Sequence, residues 1–203
     1  MKSNPKIIAV LRANDASDYR EVMEVLISEG ITALELTLTT PNTLDELPKL
    51  VEYFGKDVSV GVGTVLSKRD AQRAFEGGAK FLVSPNVEEE VVRFAVQKGI
   101  PMYAGALTPT EVQRAISLGA SAVKVFPAQT VGAEYLSHLK GPFPELKAIP
   151  SGGIDLDGAR EWLRRGAFAV SVGGPLIGSV FEDHDLNALR VKARDFVSAI
   201  EHE

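Results

Sequence analysis

The feature of this chain that most restricts its fold is an eightfold alternation of short apolar runs and amphipathic segments. Each apolar run is followed by a stretch of helical periodicity, and successive runs are spaced by about 20 to 25 residues. The runs lie at residues 7–11, 33–38, 58–65, 81–85, 102–106, 122–127, 147–153 and 168–174. Regular alternation of this kind predicts right-handed crossover connections and one parallel sheet.

Eight such units in 203 residues predict a closed (β/α)₈ TIM barrel, in a single domain spanning residues 1–203. The alternative is an open, doubly wound sheet. No Gly-x-Gly-x-x-Gly motif follows the first strand to favour a dinucleotide-binding fold. In a barrel, catalytic groups lie at the C-terminal ends of the strands and in the loops that follow them, so the search for chemistry starts there.

Composition excludes several classes of function. The formal charge is −5 and no Lys/Arg cluster stands out, so we expect no nucleic-acid partner. The chain has no cysteine, and its three histidines lack metal-ligand spacing, so we expect no metal and no thiol chemistry. No apolar run approaches the length of a membrane span, and the first strand begins within a few residues of Met1. We therefore expect a cytoplasmic protein without a signal peptide or membrane partner.

One lysine lies inside an apolar strand. In the run AVKVFP, Lys124 shares a strand face with Ala122 and Phe126, opposite Val123 and Val125. Strands that are apolar on both faces are typical of buried parallel sheets. Burial favours the neutral amine, which can attack a ketone to form a Schiff base. The alternative is a lysine whose aliphatic stem packs while its amine reaches solvent at the strand end.

A glutamate is the clearest anomaly among the strand ends. Glu35 lies between Leu34 and Leu36 and shares an inward face with Thr37. A buried carboxylate needs a cation, a hydrogen bond or a proton, and Lys124 can supply the cation. Such a pair can be purely structural. Alternatively the two side chains divide the chemistry, with the lysine as covalent nucleophile and the glutamate as proton carrier.

Two glycine pairs follow the seventh and eighth strands. In barrels, the loops after these strands often bind phosphate through backbone N–H groups, together with the start of a short helix. Gly152-Gly153 and Gly173-Gly174 occupy these two places, and Leu176-Ile177-Gly178 is a candidate start for the short helix. A single glycine pair more often marks a turn. Two pairs at the two expected strand ends favour a phosphate site.

Seven short motifs run in order along the chain. They lie at residues 34–38 (LELTL), 61–65 (GVGTV), 81–85 (FLVSP), 107–111 (LTPTE), 123–128 (VKVFPA), 141–144 (GPFP) and 150–154 (PSGGI). Together they resemble the 2-keto-3-deoxy-6-phosphogluconate (KDPG)/4-hydroxy-2-oxoglutarate aldolase family, over essentially the whole chain. The resemblance implies a homotrimeric class I aldolase on a (β/α)₈ barrel, without metal or cofactor. It also implies cleavage of a 2-keto-3-deoxy-6-phospho sugar acid, most simply KDPG, to pyruvate and glyceraldehyde 3-phosphate.

The resemblance implies roles for the residues around the reacting carbonyl. Lys124 resembles the Schiff-base lysine of the family, and Glu35 resembles its general acid/base. Thr64 is similar to a residue that contacts the pyruvate carboxylate. Pro85 and Phe126 resemble apolar walls around the pyruvyl group, where exclusion of water keeps the amine neutral.

The resemblance also implies how the rest of the sugar acid is bound. Ser151 stands where many members have a threonine that contacts a substrate hydroxyl. Gly152, Gly153 and Gly173 resemble the phosphate cradle of the family, and Gly174 lies beside them. Phosphate affinity would then rest on backbone amides, because no serine follows the second glycine pair.

One departure from the family pattern concerns the arginine that binds the pyruvate carboxylate. Many members carry it after the glutamate strand, where this chain has Thr39. A branch that includes the 6-phosphogalactonate aldolases has an arginine at the end of strand one, where this chain has Arg12. We therefore expect Arg12 to supply the bidentate clamp. The alternative is a rim arginine paired with a nearby acid.

The identity of the substrate stays open at this point. The candidates are KDPG, its galactonate epimer and unphosphorylated 4-hydroxy-2-oxoglutarate. Another phosphate-binding barrel enzyme would need a metal cluster or an acid pair at the strand ends, and neither is visible in the sequence. A non-catalytic barrel used as a binding or assembly scaffold is the alternative from a different class of protein.

Overall fold

Eight parallel strands enclose the centre of the protein in a computed structural model that describes residues 6–200. They are hydrogen-bonded in the order β7-β6-β5-β4-β3-β2-β1-β8. The strands are β1 (Ile7–Leu11), β2 (Ala33–Thr37), β3 (Ser59–Gly63), β4 (Leu82–Val83), β5 (Met102–Ala106), β6 (Ala122–Val125), β7 (Ala148–Pro150) and β8 (Val170–Val172). This architecture confirms the predicted (β/α)₈ barrel.

The barrel closes between β7 and β8, where strand pairing is sparse. Ser151 and Ser171 form a single parallel bridge just beyond the end of β7. Below it, the Phe168 N–H donates to the Ala148 carbonyl at 2.8 Å. Because β1 pairs with both β2 and β8, this short contact completes the ring.

Helices follow the strands around the outside of the barrel. They are α1 (Tyr19–Ser28), α2 (Thr43–Phe54), α3 (Lys68–Glu76), α4 (Glu89–Lys98), α5 (Pro109–Leu118), α6 (Glu134–Lys140), α7 (Leu156–Arg164), α8 (Gly174–Ile177), α9 (Val180–Asp183) and α10 (Leu186–Ile200). Short 3₁₀ turns lie at Ala16–Asp18 and Ala128–Thr130. Among residues 6–200, no helix has the length and apolar character needed to cross a membrane.

The start of α5 illustrates how sequence sets a helix boundary. Thr108 Oγ1 accepts a hydrogen bond from the Glu111 N–H at 3.4 Å, and the Glu111 carboxylate accepts one from the Thr108 N–H at 2.8 Å. Pro109 occupies the first turn, where its missing N–H costs nothing. Backbone N–H bonds from Leu107 and Thr108 hold the pKa of Glu111 below its usual value. The predicted capping box is confirmed.

Two apolar layers support the barrel. Outward-facing strand residues such as Leu34, Leu36, Val123 and Val125 pack against the helices. A smaller cluster fills the lower half of the barrel interior: Ile8, Ala33, Phe81, Val83, Ala122, Ile149 and Ala169. These apolar side chains lie beneath the inward-facing polar residues nearer the strand ends.

Candidate active site

A cavity of about 480 Å³ opens at the C-terminal ends of the strands. Every residue predicted to belong to the site lines it: Arg12, Glu35, Thr64, Pro85, Lys124, Phe126, Ser151, Gly152, Gly153, Gly173 and Gly174. Val10, Pro175, Ile177 and Gly178 complete the lining. Its charged residues are two cations and one acid, so the cavity suits a ligand that carries negative charge.

The lysine and the glutamate meet at the bottom of this cavity. β6 carries Lys124 inward between its register partners Gly105 and Ile149, and β2 carries Glu35 inward from the opposite side. Lys124 Nζ lies 3.7 Å from Glu35 Oε1, and the two side chains are 11% and 2% exposed. The amine of Lys124 is therefore inside the barrel and does not reach bulk solvent at the strand end. The two groups are close enough for a proton to pass between them, directly or through a water molecule.

The two carboxylate oxygens of the glutamate have different surroundings. Glu35 Oε2 is buried and accepts no hydrogen bond from any residue between 6 and 200. A buried carboxylate oxygen without a donor is costly, and such groups are concentrated at functional sites. This unpaired acceptor therefore marks Glu35 as a candidate functional residue.

A glycine on the neighbouring strand makes room for the carboxylate. Gly63 ends β3 and pairs in register with Thr37 of β2. A Cβ atom on Gly63 would overlap Oε1, Cδ and Cγ of Glu35. Gly63 is not among the glycines with a positive φ, so its backbone would accept an alanine. The absence of a side chain at this position is thus what permits the observed position of Glu35.

Apolar groups form the walls around the lysine amine. The loop after β4 crosses the end of β5, and a Cβ on Gly105 would overlap the Pro85 carbonyl. This close approach brings Pro85 to the cavity. The ring of Phe126 lies 5.6 Å from Lys124 Nζ, and the following peptide bond to Pro127 is cis. These walls restrict the access of water to the amine.

The glycine pair after β7 has the left-handed backbone that only glycine adopts readily. Gly152 and Gly153 have φ values of 92° and 71°. A Cβ on Gly152 would lie 3.2 Å from the Phe126 ring, and one on Gly153 would overlap the Gln129 side chain. Glycine at both positions therefore lets this loop present its backbone to the cavity, next to the second glycine pair, Gly173-Gly174. The short helix α8 begins at Gly174 and includes Ile177, so the prediction that it starts at Leu176 was wrong by two residues.

Arg12 follows directly after β1 and presents an exposed guanidinium to the cavity. Among residues 6–200 it has no acidic partner and no side-chain hydrogen bond. Thr39 lies instead in an adjacent groove, where its hydroxyl donates to Thr37 Oγ1 at 3.2 Å. Of the two positions considered for the carboxylate-binding arginine, the end of β1 has Arg12 in the cavity, and the end of β2 has Thr39 in a different groove.

The decisive comparison is with protein families. The model of the KDPG and KHG aldolase family matches residues 1–191 of the chain. The chain belongs to this family. Two suitable side chains at the strand ends of a barrel do not define a family by themselves. The family match, in contrast, covers the residues of all eight strands.

Named relatives match most of the length of this aldolase. The chain is 32% identical to the 2-dehydro-3-deoxy-phosphogluconate aldolase of Pseudomonas aeruginosa, over 78% of the chain and 72% of the relative. It is 29% identical to the 2-dehydro-3-deoxy-6-phosphogalactonate aldolase of Escherichia coli, over 84% and 83%. A crystal structure of the Legionella pneumophila KDPG aldolase, with pyruvate captured as a covalent carbinolamine, is 26% identical, with a TM-score of 0.87. That match covers 95% of this chain and 94% of the Legionella chain.

The analysis of the sequence missed one buried hydroxyl near the site of this aldolase. Ser151 Oγ donates a hydrogen bond to Ser171 Oγ at 3.2 Å, and both side chains are buried. Ser171 lies between Val170 and Val172 of β8 and faces the interior. A polar residue within an apolar strand was the signal that identified Lys124, and the same signal was available here.

Proposed function

We propose that this aldolase cleaves a 2-keto-3-deoxy-6-phospho sugar acid, with KDPG as the first candidate, to pyruvate and glyceraldehyde 3-phosphate. The reaction proceeds through a Schiff base at Lys124. The observation that carries the proposal is the 3.7 Å approach of Lys124 Nζ to Glu35 Oε1 at the bottom of a cationic cavity. The names of the relatives support this substrate class, and they include both the gluconate and galactonate forms.

The first half of the reaction forms the covalent intermediate. Lys124 passes its ammonium proton to Glu35, and the resulting neutral amine attacks the C2 ketone, whose oxygen then receives that proton from Glu35 to give a carbinolamine. Loss of water then gives a protonated imine. Pro85 and Phe126 lie beside this carbon and limit the access of water, which slows premature hydrolysis.

The second half breaks the carbon–carbon bond. Glu35 accepts the proton of the C4 hydroxyl while the C3–C4 bond breaks, and the bonding electrons move to the imine nitrogen. Glyceraldehyde 3-phosphate leaves and an enamine of pyruvate remains on Lys124. Return of the proton to C3 and hydrolysis of the imine release pyruvate.

The two ends of the cavity bind different groups of the substrate. Arg12 and Thr64 bind the carboxylate next to the reacting ketone. Backbone N–H groups near Gly152, Gly153, Gly173 and Gly174 bind the phosphate at the other end. Ser151 contacts a hydroxyl between them. A ligand with an anion at each end thus finds the Arg12 guanidinium at one end and backbone N–H donors at the other.

The test of this function is release of pyruvate from a panel of three substrates. We expect turnover of KDPG or its galactonate epimer, with kcat/KM higher than for unphosphorylated 4-hydroxy-2-oxoglutarate. The ratio between the two epimers decides which phosphorylated acid is preferred. Absence of pyruvate from all three substrates would favour the scaffold alternative and contradict the proposal.

We predict that Arg12→Ala weakens pyruvate binding about 10- to 100-fold, because a charge-assisted contact to the carboxylate is lost. The measurement is the pyruvate concentration that gives half-maximal borohydride trapping on the enzyme. An Arg12→Lys variant keeps the charge but not the bidentate geometry, and an intermediate value is expected. Weaker binding of phosphorylated substrate with unchanged pyruvate trapping would place the guanidinium at the phosphate end instead.

We predict that Gly174→Asp raises the KM for the phosphorylated substrate about tenfold or more, because a carboxylate would face the phosphate. A Cβ on Gly174 has nothing within 4 Å, so the side chain fits without a clash. Gly174→Asn is the matched control, since it has the same shape without the charge. KM for 4-hydroxy-2-oxoglutarate should change little. Equal changes for both substrates, or for both variants, would argue against a phosphate at this position.

We also propose a homotrimer located in the cytoplasm. The trimer rests on the family resemblance, and the location rests on composition, because a chain without cysteine suits a reducing compartment. Light scattering coupled to size-exclusion chromatography should give three times the 21.8 kDa mass of one chain. A mass equal to one chain would reject the trimer.

A further inference from the structure

A cluster of residues with buried hydroxyl groups contacts the backbone at the C-terminal end of β1. It consists of Tyr19, Thr37, Thr40 and Thr43, which are at most 2% exposed. Tyr19 comes from α1, Thr37 ends β2, and the other two lie in the loop and first residue of α2. We refer to these four residues as the hydroxyl cluster. Most buried side chains among residues 6–200 are apolar, so four neighbouring hydroxyls stand out.

The cluster is connected by its own hydrogen bonds. Thr43 Oγ1 donates to the Thr37 and Thr40 carbonyls, each at 2.9 Å. Thr37 Oγ1 and Thr40 Oγ1 are 3.3 Å apart, as are Tyr19 Oη and Thr43 Oγ1. Buried hydroxyls are favourable only when paired, and a paired network holds its members in one arrangement.

The same cluster holds both peptide units that flank Arg12. On one side, Tyr19 Oη donates toward the Leu11 carbonyl at 3.4 Å, which belongs to the peptide joining Leu11 to Arg12. On the other side, the Ala13 N–H donates to Thr40 Oγ1 at 3.0 Å, and this N–H belongs to the peptide joining Arg12 to Ala13. The backbone of Arg12 is thereby fixed at both ends, although the guanidinium itself is unpaired among residues 6–200.

The cluster is also attached to the strand that carries the acid/base residue. Tyr19 Oη lies 3.4 Å from the carbonyl of Thr37, which is two residues beyond Glu35 on β2. The end of β1 is therefore held in register with the end of β2 by side chains as well as by the strand pairing. A group held by well-packed neighbours can keep a binding geometry that a free loop cannot.

We propose that the hydroxyl cluster is the positioning group for Arg12. By fixing the two peptides around Arg12 relative to β2, it directs the guanidinium to the carboxylate of the bound keto acid, next to Lys124 and Glu35. The inference rests on the proposed role of Arg12 in carboxylate binding. Tyr19 and Thr40 act through Arg12 and do not touch the substrate themselves.

The test compares Thr40→Val, which keeps the volume but removes the acceptor, with Thr40→Ser, which keeps the hydroxyl. The measurement is the pyruvate concentration for half-maximal borohydride trapping on Lys124. We expect Thr40→Val to raise it about fivefold to tenfold and Thr40→Ser to stay within about twofold of the wild type. Tyr19→Phe acts on the other peptide and should resemble Thr40→Val. If Thr40→Val does not fold, Tyr19→Phe alone provides the test.

A double-mutant cycle separates positioning from general loss of stability. If the cluster acts through Arg12, Thr40→Val should raise the half-maximal pyruvate concentration by less than about twofold in an Arg12→Ala background. An equal effect in both backgrounds, or none in the single variant, would overturn the positioning role. If Arg12→Ala alone leaves trapping unchanged, the carboxylate role of Arg12 fails and the inference fails with it. Absence of any adduct in the wild type would instead contradict the Schiff-base function itself.

Discussion

Replacing Lys124 with arginine is expected to lower kcat by a factor on the order of 10⁵ or more, because covalent catalysis is lost. Arginine keeps a positive charge beside Glu35, but its guanidinium stays protonated and cannot form an imine with a ketone. The neighbouring cavity of about 480 Å³ offers room for the larger side chain. The measurement is pyruvate release from the preferred substrate, together with the melting temperature of the variant.

Lys124→Met provides the complementary control. It removes the charge and leaves the buried Glu35 carboxylate without its cation, so this variant is expected to be less stable than Lys124→Arg. Both variants should be equally inactive. Substantial turnover in Lys124→Arg would mean that the lysine contributes charge and not a nucleophile, which contradicts the proposed mechanism.

Replacing Gly63 with alanine is expected to lower kcat about 10²- to 10⁴-fold, because the new Cβ displaces the Glu35 carboxylate from the lysine. Lys124 is untouched in this variant, so an adduct with pyruvate should still form at long incubation, although more slowly, because Glu35 also protonates the ketone oxygen in that step. The expected result is therefore a separation of imine trapping from turnover. Steady-state kinetics with the phosphorylated substrate and borohydride trapping with pyruvate measure the two quantities.

Gly61→Ala is the matched control on the same strand. Gly61 is the register partner of Glu35, but a Cβ there would overlap the ring of Phe81 in the lower half of the barrel. Both variants are expected to lose stability through overpacking. Only Gly63→Ala should lose turnover out of proportion to its stability. Equal losses of turnover would show that strain in β3, and not the position of the carboxylate, limits the reaction.

The fold and the two central residues were accessible from the sequence for one physical reason. Buried parallel strands are apolar on both faces, so their period and spacing are visible, and a charge within them stands out. Glu35 and Lys124 were found in this way, and the barrel then placed them at the same end. The glycine pairs were found because barrel loops after strands seven and eight have a known tendency to bind phosphate.

Other parts of the site depend on contacts between distant residues. The steric role of Gly63 requires knowing that its missing Cβ faces Glu35 on the next strand. The link from Thr40 to the Ala13 N–H spans 27 positions in sequence and depends on how two loops meet. Strand β4 ends before its apolar run does, and Pro85 then crosses the end of β5. Such features follow from packing, which a periodic pattern does not encode.

Borohydride reduction in the presence of pyruvate, followed by peptide mapping, tests the central claim most directly. If the buried amine next to Glu35 is the nucleophile, the reduced pyruvyl group will be found on Lys124 alone and will be absent from Lys124→Arg. Modification spread over surface lysines, or an unmodified Lys124 in active enzyme, would contradict the account.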